Sequence, residues 1–243
     1  MNFSRTLPVI SQLEEVARDT PGWSPVDQLY TLFAMVLMTS GSDGDILELG
    51  SWCGRSSAAL GLAAKLCGNT QLCCVDLFPE KDDWHQNEDG SYSMTMTIEG
   101  TVVRAYHDQT VWKEPFERDM APLYSKYRGV LEIFKEKMSQ YELDDVVSPY
   151  KGTLAAFVKT LQPKNKFRLA FIDGDHGYEA VCADIGLVDS VLSPGGWICF
   201  DDAFTSYQGV DRAIEELIID NPGYELGQQM TRKLFVARKG HAS

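Results

Sequence analysis

Long hydrophobic runs are missing from this chain of 243 residues, and their absence excludes a membrane protein of the helical kind. The most apolar stretch, residues 29–38, is too short to cross a bilayer, because a spanning helix needs roughly 18 apolar residues or more. No basic segment followed by an apolar one opens the chain, so no secretory signal is predicted. We therefore expect a cytoplasmic protein with no membrane partner.

Basic residues are also in the minority. The chain carries 22 Lys and Arg against 35 Asp and Glu, which gives a formal net charge of −13. Since nucleic acids and anionic membranes attract basic surfaces, this balance argues against both as general partners. The hydrophobic share of 44% suffices for a substantial core, and the length fits a single domain over residues 1–243.

Cysteine is present but lacks the spacing of a disulfide framework or a zinc site. None of the six cysteines forms a Cys-x-x-Cys pair, and most lie in apolar runs. We interpret them as small core residues of a cytosolic protein. They are Cys53, Cys67, Cys73, Cys74, Cys182 and Cys199.

The dinucleotide fingerprint Gly-x-Gly-x-x-Gly is absent, which disfavours an NAD-dependent dehydrogenase. Residues 45–57 carry a different pattern: an apolar run ends at Glu48, and Gly50 and Gly54 follow in a Gly-x-x-x-Gly turn before a helix of small residues. Trp52 lies where the middle glycine of the fingerprint would be. Such a strand–turn–helix unit lets a ligand approach the backbone and offers free N–H groups to an anion. It predicts a nucleotide-like cofactor, with a βα turn that binds nothing as the alternative.

Apolar runs and helical patterns alternate along the rest of the chain. This alternation predicts an α/β fold, in which helices cover both faces of a parallel sheet. Strands are predicted at 45–49, 71–75, 145–149, 168–172 and 197–200, with a turn at 194–196 and two strand-like runs at 224–230 and 233–238. Helices are predicted at about 24–40, 55–67, 153 onward, 177–191 and 208–220.

Residues 77–144 are too many for a βα connection, which normally takes a few residues plus one helix. This insert is polar and aromatic, and a helix is predicted over about 119–140. We interpret it as a lid over the site and residues 1–40 as an N-terminal helical cap. An insert that only mediates oligomer contacts is the alternative, and the apolar N-terminal helix with the large cap favours a homodimer or a higher homo-oligomer.

Acidic residues end several of the predicted strands. Right-handed crossovers place these strand ends at one edge of the sheet, where ligands of such folds bind. Asp76 is placed to accept hydrogen bonds from both ribose hydroxyls of an adenosine, and a solvated strand-end carboxylate is the alternative.

Asp173, Asp201 and Asp202 end two further strands. Carboxylates so close together repel one another in a partly dry crevice unless a cation such as Mg²⁺ compensates. Helix capping by Asp201 or Asp202, or raised pKa values without a metal, are the alternatives. His176 and Asp175 follow the first of these carboxylates, and either could take a proton from a substrate hydroxyl.

These segments resemble known motifs. Residues 46–57 resemble the first motif of the class I S-adenosylmethionine-dependent O-methyltransferases and are closest to the catechol O-methyltransferase pattern. Residues 171–181 and 195–202 resemble the metal-site motifs of that family, nearer to its macrocin and cephalosporin-cluster branch. The similarity covers roughly 45–76 and 145–238. It implies a Rossmann-like, seven-stranded mixed sheet that ends in an antiparallel hairpin.

The resemblance also implies roles for individual residues. His176 falls where the catechol enzymes carry a catalytic Lys, and Asp202 falls where they carry Asn, so a sugar or aliphatic diol is expected rather than a catechol. Mg²⁺ would be bound by Asp173, Asp201 and Asp202, with His176 or Asp175 as the catalytic base. The cofactor S-adenosylmethionine would be bound by Glu48, Gly50, Ser51, Trp52, Gly54, Ser56, Asp76, Leu77 and Asp173.

The predicted function is a Mg²⁺-dependent O-methyltransferase that acts on a hydroxyl of a small molecule, in the manner of antibiotic-tailoring enzymes of secondary metabolism. A metal-dependent hydroxylase-like member without methyl transfer is one alternative, although a two-His-one-carboxylate set is lacking. A cofactor-binding regulatory subunit is the other. Intact acidic residues beside His176 argue against a pure scaffold.

Overall fold

A computed structural model of the protein describes residues 6–162 and 166–241. The described part contains one large sheet, one small sheet and the helices around them. The large sheet comprises β1 (Asp45–Leu49), β2 (Leu72–Asp76), β6 (Val147–Lys151), β7 (Phe167–Ile172), β8 (Leu192–Phe200), β9 (Tyr224–Gln229) and β10 (Phe235–Lys239). The helices are α1 (Thr6–Asp19), α2 (Val26–Met38), α3 (Arg55–Cys67), α4 (Lys113–Pro115), α5 (Val130–Gln140), α6 (Leu154–Thr160), α7 (Tyr178–Val191) and α8 (Gln208–Ile214).

The seven strands of the large sheet have the order β6-β2-β1-β7-β8-β10-β9. All neighbours are parallel except β10, which pairs antiparallel with both β8 and β9. The predicted α/β class, the mixed sheet and the C-terminal antiparallel hairpin are therefore confirmed. Strand order reverses between β1 and β7, since β1 is followed along the chain by β2 and β6 on one side and by β7 and β8 on the other. This is the switch point at which such sheets bind ligands.

Side chains of each central strand alternate between two hydrophobic cores. Ile46 packs into the core that α1, α2, α3 and α5 cover, whereas the next residue, Leu47, packs into the core that α6, α7 and α8 cover. Both side chains are fully buried, and burying one of this size contributes about 1.5–3 kcal/mol. All six residues of β7 are buried, as expected of a central strand that is covered on both faces.

The insert at 77–144 contains a second, antiparallel sheet that the sequence analysis did not predict. Its strands are β3 (Trp84–Gln86), β4 (Tyr92–Ile98) and β5 (Thr101–Ala105), in the order β3-β4-β5. Glu99 and Gly100 join β4 to β5 with φ values of 49° and 80°, as in a type I′ hairpin turn. The polar/apolar alternation of β4 and this Gly are the signals that could have revealed the hairpin.

Several predicted boundaries are wrong. The α-helix predicted over 119–140 begins only at Val130, because Pro122 and Gly129 interrupt it, and a π-helical segment (Phe116–Met120) and a 3-10 helix (Leu123–Ser125) precede it. The predicted turn at 194–196 lies inside β8, and the strand predicted at 145–149 is displaced to Val147–Lys151. Helix α1 lies in the segment 1–40 that the sequence analysis interpreted as a helical cap, but no bounds were predicted for it. None of the helices in the described ranges combines the length and the hydropathy that crossing a bilayer requires.

Candidate active site

A cavity of about 560 Å³ opens at the carboxyl edge of the large sheet. Its floor is formed by the strand ends, and its walls are formed by the connection between α1 and α2 and by β5 with the residues that follow it. Backbone hydrogen bonds hold the strand ends in register: the N–H of Gly50 donates to Val75, that of Asp173 donates to Leu49, and that of Asp201 donates to Ile172. The ends of β1, β2, β7 and β8 therefore lie side by side beneath one cavity.

The glycine turn after β1 approaches its neighbour too closely for any side chain. Gly50 has a φ of 85°, and a Cβ there would lie 1.7 Å from the carbonyl oxygen of Asp173. Ser51 and Trp52 continue the turn and line the cavity together with Gly50. Gly54 starts α3 with a φ of 92° and faces the core instead, because a Cβ there would contact Phe134 and Met138. Only part of the predicted motif therefore reaches the ligand space.

Glu48 and Ser56 lie beneath this turn rather than in the cavity wall. Glu48 is fully buried, and one of its carboxylate oxygens accepts a hydrogen bond from the Ser57 hydroxyl. Burial raises the pKa of Glu48, although hydrogen bonds from nearby serines oppose the rise. These residues support the turn from below, and their predicted contact with a cofactor stays a prediction.

Asp76 at the end of β2 connects the turn to the cavity. Its Oδ2 accepts the backbone N–H of Trp52 at 2.9 Å, and its Oδ1 accepts the N–H of Phe78. Burial raises the pKa of Asp76, and the hydrogen bonds from the backbone oppose this rise without cancelling it. Each carboxylate oxygen has a second lone pair, so Asp76 can still accept a hydroxyl of a ligand. Asp76 and Leu77 both line the cavity, and their contact with a cofactor stays a prediction.

An acidic cluster forms the opposite end of the cavity. Ligand atoms of Asp173, His176 and Asp202 all lie within 4.8 Å of one another. Nε2 of His176 is 3.3 Å from Oδ2 of Asp202, and its ring centroid is 4.1 Å from that of Tyr207. Burial lowers the pKa of His176 despite the nearby carboxylates, so the imidazole stays neutral at neutral pH and can accept a proton. Burial and the neighbouring Asp201 raise the pKa of Asp173.

Lys233 lies in this cluster and was missed by the sequence analysis. Its Nζ is 2.8 Å from Oδ2 of Asp201 and 3.1 Å from Oδ1 of Asp202. Gln28 of α2 donates to the other oxygen of Asp201 at 2.8 Å. Burial alone would lower the pKa of Lys233, but the carboxylates outweigh it and raise the pKa. The only signal in the sequence was a lysine at the first position of the predicted strand 233–238.

These contacts bear on the predicted metal trio. The structure brings Asp173, Asp201 and Asp202 to one edge, but both oxygens of Asp201 are engaged by Gln28 and Lys233. The ligand atoms that lie within 4.8 Å of one another are those of Asp173, Asp202 and His176, and Asp202 also contacts Lys233. Binding of a metal by any of these residues stays a prediction.

Asp175 connects the site to the insert. Its Oδ2 accepts the backbone N–H of Tyr106 at 3.0 Å, and its Oδ1 accepts that of Gly177 at 2.8 Å. Tyr106 directly follows β5, adopts a φ of 57° and stacks on Trp84 with ring centroids 5.6 Å apart. Asp175 thus holds the insert against the cavity, a contact that sequence reasoning did not foresee.

The sequence model of a family described as "Methyltransferase domain" matches residues 47–203. No curated protein matches the sequence. Among solved structures, an O-methyltransferase from Klebsiella pneumoniae whose function is itself provisional has a TM-score of 0.60 and 16% identity, over 97% of this chain and 90% of its own. The O-methyltransferase from Bacillus cereus in complex with SAH has a TM-score of 0.57 and 17% identity, over 94% of this chain and 90% of its own. The O-methyltransferase NovP has a TM-score of 0.60 and 16% identity, over 89% of this chain and 81% of its own. At these identities the similarity establishes a shared fold.

Proposed function

Since the chain belongs to the methyltransferase-domain family, we propose that it transfers a methyl group from S-adenosylmethionine to a hydroxyl oxygen of a small molecule. One observation carries this proposal: a single cavity joins the backbone turn around Gly50 to the cluster around His176. The first end suits a nucleoside cofactor and the second suits an acceptor hydroxyl. The solved structures of similar fold that are named above as O-methyltransferases support oxygen as the acceptor atom.

The cofactor would lie along the turn that follows β1. Asp76 would accept the ribose hydroxyls, because its carboxylate is oriented by two backbone N–H groups and keeps free lone pairs. Ser51, Trp52 and Leu77 would contact the rest of the molecule, and Asp173 borders the space where the cofactor and the acceptor meet. Glu48, Gly54 and Ser56 would act through the shape of the turn that they support.

His176 is the residue we assign as the general base. In this role the neutral imidazole would accept the proton of the acceptor hydroxyl, and S-adenosylmethionine held along the turn would supply the methyl group. Asp175 is the weaker candidate for this role, since both of its oxygens already accept backbone N–H groups. A positioned base of this kind contributes roughly 10²–10⁴-fold to rate.

We propose that Mg²⁺ binds at this end of the cavity, with Asp173 and Asp202 as its ligands and without the Asp201 of the predicted trio. The oxygens of Asp173 and Asp202 are the hard donors that this ion prefers, and they lie close together. We leave His176 outside the set, because a nitrogen lone pair bound to a metal cannot accept a proton. Bound there, the ion would supply positive charge that stabilises the deprotonated acceptor.

A sugar or another diol-like metabolite is the acceptor class we propose. Trp23 and Trp112 line the cavity with 50% and 68% of their surface exposed, which is unusual for indole rings. Apolar faces of a sugar ring can pack on such rings while its hydroxyls reach the acidic cluster. A role in secondary metabolism and a cytoplasmic location complete this proposal, the latter because Cys53, Cys67, Cys73, Cys74, Cys182 and Cys199 are free. We also propose a homo-oligomer, and this proposal rests only on the apolar N-terminal helix and the large cap that the sequence analysis described.

Isothermal titration calorimetry tests the cofactor assignment. We expect S-adenosylhomocysteine to bind and NAD not to bind, because the turn lacks the dinucleotide spacing. Tight binding of NAD without binding of S-adenosylhomocysteine would overturn the proposal. Methyl transfer is then measured with labelled S-adenosylmethionine on panels of glycosides and aliphatic diols, and transfer to thiols or amines alone would contradict oxygen as the acceptor atom.

A further inference from the structure

Lys233 occupies an unusual position for a lysine. It lies in the turn before β10, and only 10% of its side chain is exposed. Its ammonium group contacts carboxylate oxygens of Asp201 and Asp202, whose side chains are 3% and 16% exposed. A lysine this deep is stable only where carboxylates compensate its charge.

The surroundings show that this contact is built into the fold. Asp201 continues β8 and is fixed by its backbone N–H to Ile172, while Gln28 donates to its second oxygen. Lys233 follows the chain reversal that leads into β10, where Ala203 donates its N–H to the backbone carbonyl of Lys233. The lysine is therefore held from its backbone as well as from its ammonium group.

The consequence concerns the charge of the cluster. Carboxylates that end neighbouring strands repel one another, and this repulsion is what predicts a divalent cation from the sequence. The ammonium group supplies part of the missing positive charge from within the chain. It contacts Asp202, whose other oxygen faces His176, so any added cation at Asp173 and Asp202 would lie close to a positive charge.

We propose that Lys233 is the built-in cation of this cluster and competes with divalent metal ions for its carboxylates. The proposal rests on the proposed function only in treating Asp173 and Asp202 as the donors that a metal would use. Lys233 is thus a positioning residue: it holds Asp201 and Asp202 and keeps the affinity of the site for Mg²⁺ low. A chain with a neutral residue at this position would need the metal more and bind it more tightly.

Metal binding by the full chain tests this directly, with Mn²⁺ as the probe in electron paramagnetic resonance and Mg²⁺ in calorimetry. Lys233→Met and Lys233→Gln should each bind Mn²⁺ roughly tenfold more tightly or better than the wild type, because the repelling charge is gone. Lys233→Gln keeps a hydrogen-bond donor for Asp201, so this variant should fold even if Lys233→Met does not. Lys233→Arg keeps the charge and should bind as weakly as the wild type.

Lys239→Met is the matched control. Lys239 also pairs with a carboxylate, Asp189 at 3.0 Å, but it lies outside the cavity wall, so its removal should leave Mn²⁺ affinity unchanged. Equal or weaker Mn²⁺ binding by Lys233→Met and Lys233→Gln, both shown to be folded by circular dichroism, would overturn the proposal. Binding of S-adenosylhomocysteine is measured on the same samples. If no sample binds S-adenosylhomocysteine while the Mn²⁺ affinities change as expected, the proposed function fails and the role of Lys233 stands.

Discussion

The two ends of the cavity are lined by different chemical groups, backbone at one end and charged side chains at the other. The end that we propose for the cofactor, called the cofactor end below, consists mainly of backbone: a glycine turn, main-chain N–H groups and one carboxylate that they orient, Asp76. The end that we propose for the acceptor, called the acceptor end below, consists of charged side chains that balance one another, with Lys233 between Asp201 and Asp202 and with His176 beside them. A site made of backbone tolerates few substitutions but carries little net charge. A site made of side chains can be retuned one residue at a time.

The largest effect should come from the backbone end. Gly50→Ala forces a Cβ to within 1.7 Å of the Asp173 carbonyl at a φ of 85°, so the turn and the start of the acidic cluster must move apart. Overpacking combined with left-handed strain should cost about 3 kcal/mol of stability or more. Urea unfolding gives this number, and calorimetry should show that binding of S-adenosylhomocysteine is lost. Gly68→Ala is the control, since Gly68 has a similar φ of 86° but no neighbour within 4 Å. If both variants lost a similar free energy of unfolding, backbone strain and not the clash with Asp173 would explain the effect.

At the side-chain end, His176→Ala should act on rate and leave the cofactor in place. We expect kcat to fall by roughly 10²–10⁴-fold with unchanged affinity for S-adenosylhomocysteine, because only proton transfer is removed. Burial lowers the pKa of His176, so the wild type should stay active as the pH falls through about 6.5, the usual value, and lose activity only below it.

The control for this rate effect is His241→Ala. His241 contacts Arg238 and does not line the cavity, so this variant should be as active as the wild type. A wild-type rate for His176→Ala would move the base to another residue. A pH profile that falls at a value above 6.5 would contradict a neutral, buried imidazole.

Asp76→Ala should weaken the cofactor end without dismantling it. Loss of a charged hydrogen-bond acceptor should cost about 1–3 kcal/mol of affinity for S-adenosylhomocysteine, measured by calorimetry. Part of this cost falls on the turn, because the N–H groups of Trp52 and Phe78 also lose their acceptor. Asp43→Ala, an exposed substitution before β1, should change nothing. An unchanged dissociation constant for Asp76→Ala would place the ribose contact elsewhere.

The two ends also differ in how far the sequence predicted them. The sequence named most of the residues that line the cavity beside the glycine turn, because such a turn and a strand-end Asp76 are local patterns with local causes. Glu48 and Ser56 belong to the same motif but lie under the turn, and contact of any of these residues with a cofactor stays a prediction. The large sheet was predicted for the same reason, since alternating apolar runs leave few topologies open.

The acceptor end depends on residues that are far apart in the sequence. Gln28 lies in α2 and Lys233 lies before β10, yet both contact Asp201. No spacing rule connects positions so distant, so nothing in the sequence linked Lys233 to these carboxylates. The sequence did predict that the carboxylates needed a cation, and it could not tell that the chain supplies one itself. The hairpin of the insert was missed although β4 alternates polar and apolar residues, and its partner β5 is short and largely exposed.

The smallest effect should appear where the insert meets both ends, at Asp175. Asp175→Asn keeps one acceptor oxygen for the N–H groups of Tyr106 and Gly177, so one of these two hydrogen bonds is lost. A single lost bond of this kind costs about 0.5–1.5 kcal/mol, enough to open the insert more often but not to unfold it. Residues 77–130 should therefore be cleaved several-fold faster by protease in Asp175→Asn than in the wild type, roughly 2–10-fold for that free energy. In both proteins, cofactor and acceptor together should slow the cleavage, as expected for a lid. Asp82→Asn, an exposed substitution within the same segment, should be cleaved like the wild type. If ligands protect neither protein and the two are cleaved at the same rate, the insert is not a lid, and its alternative role in oligomer contacts gains the support that the lid loses.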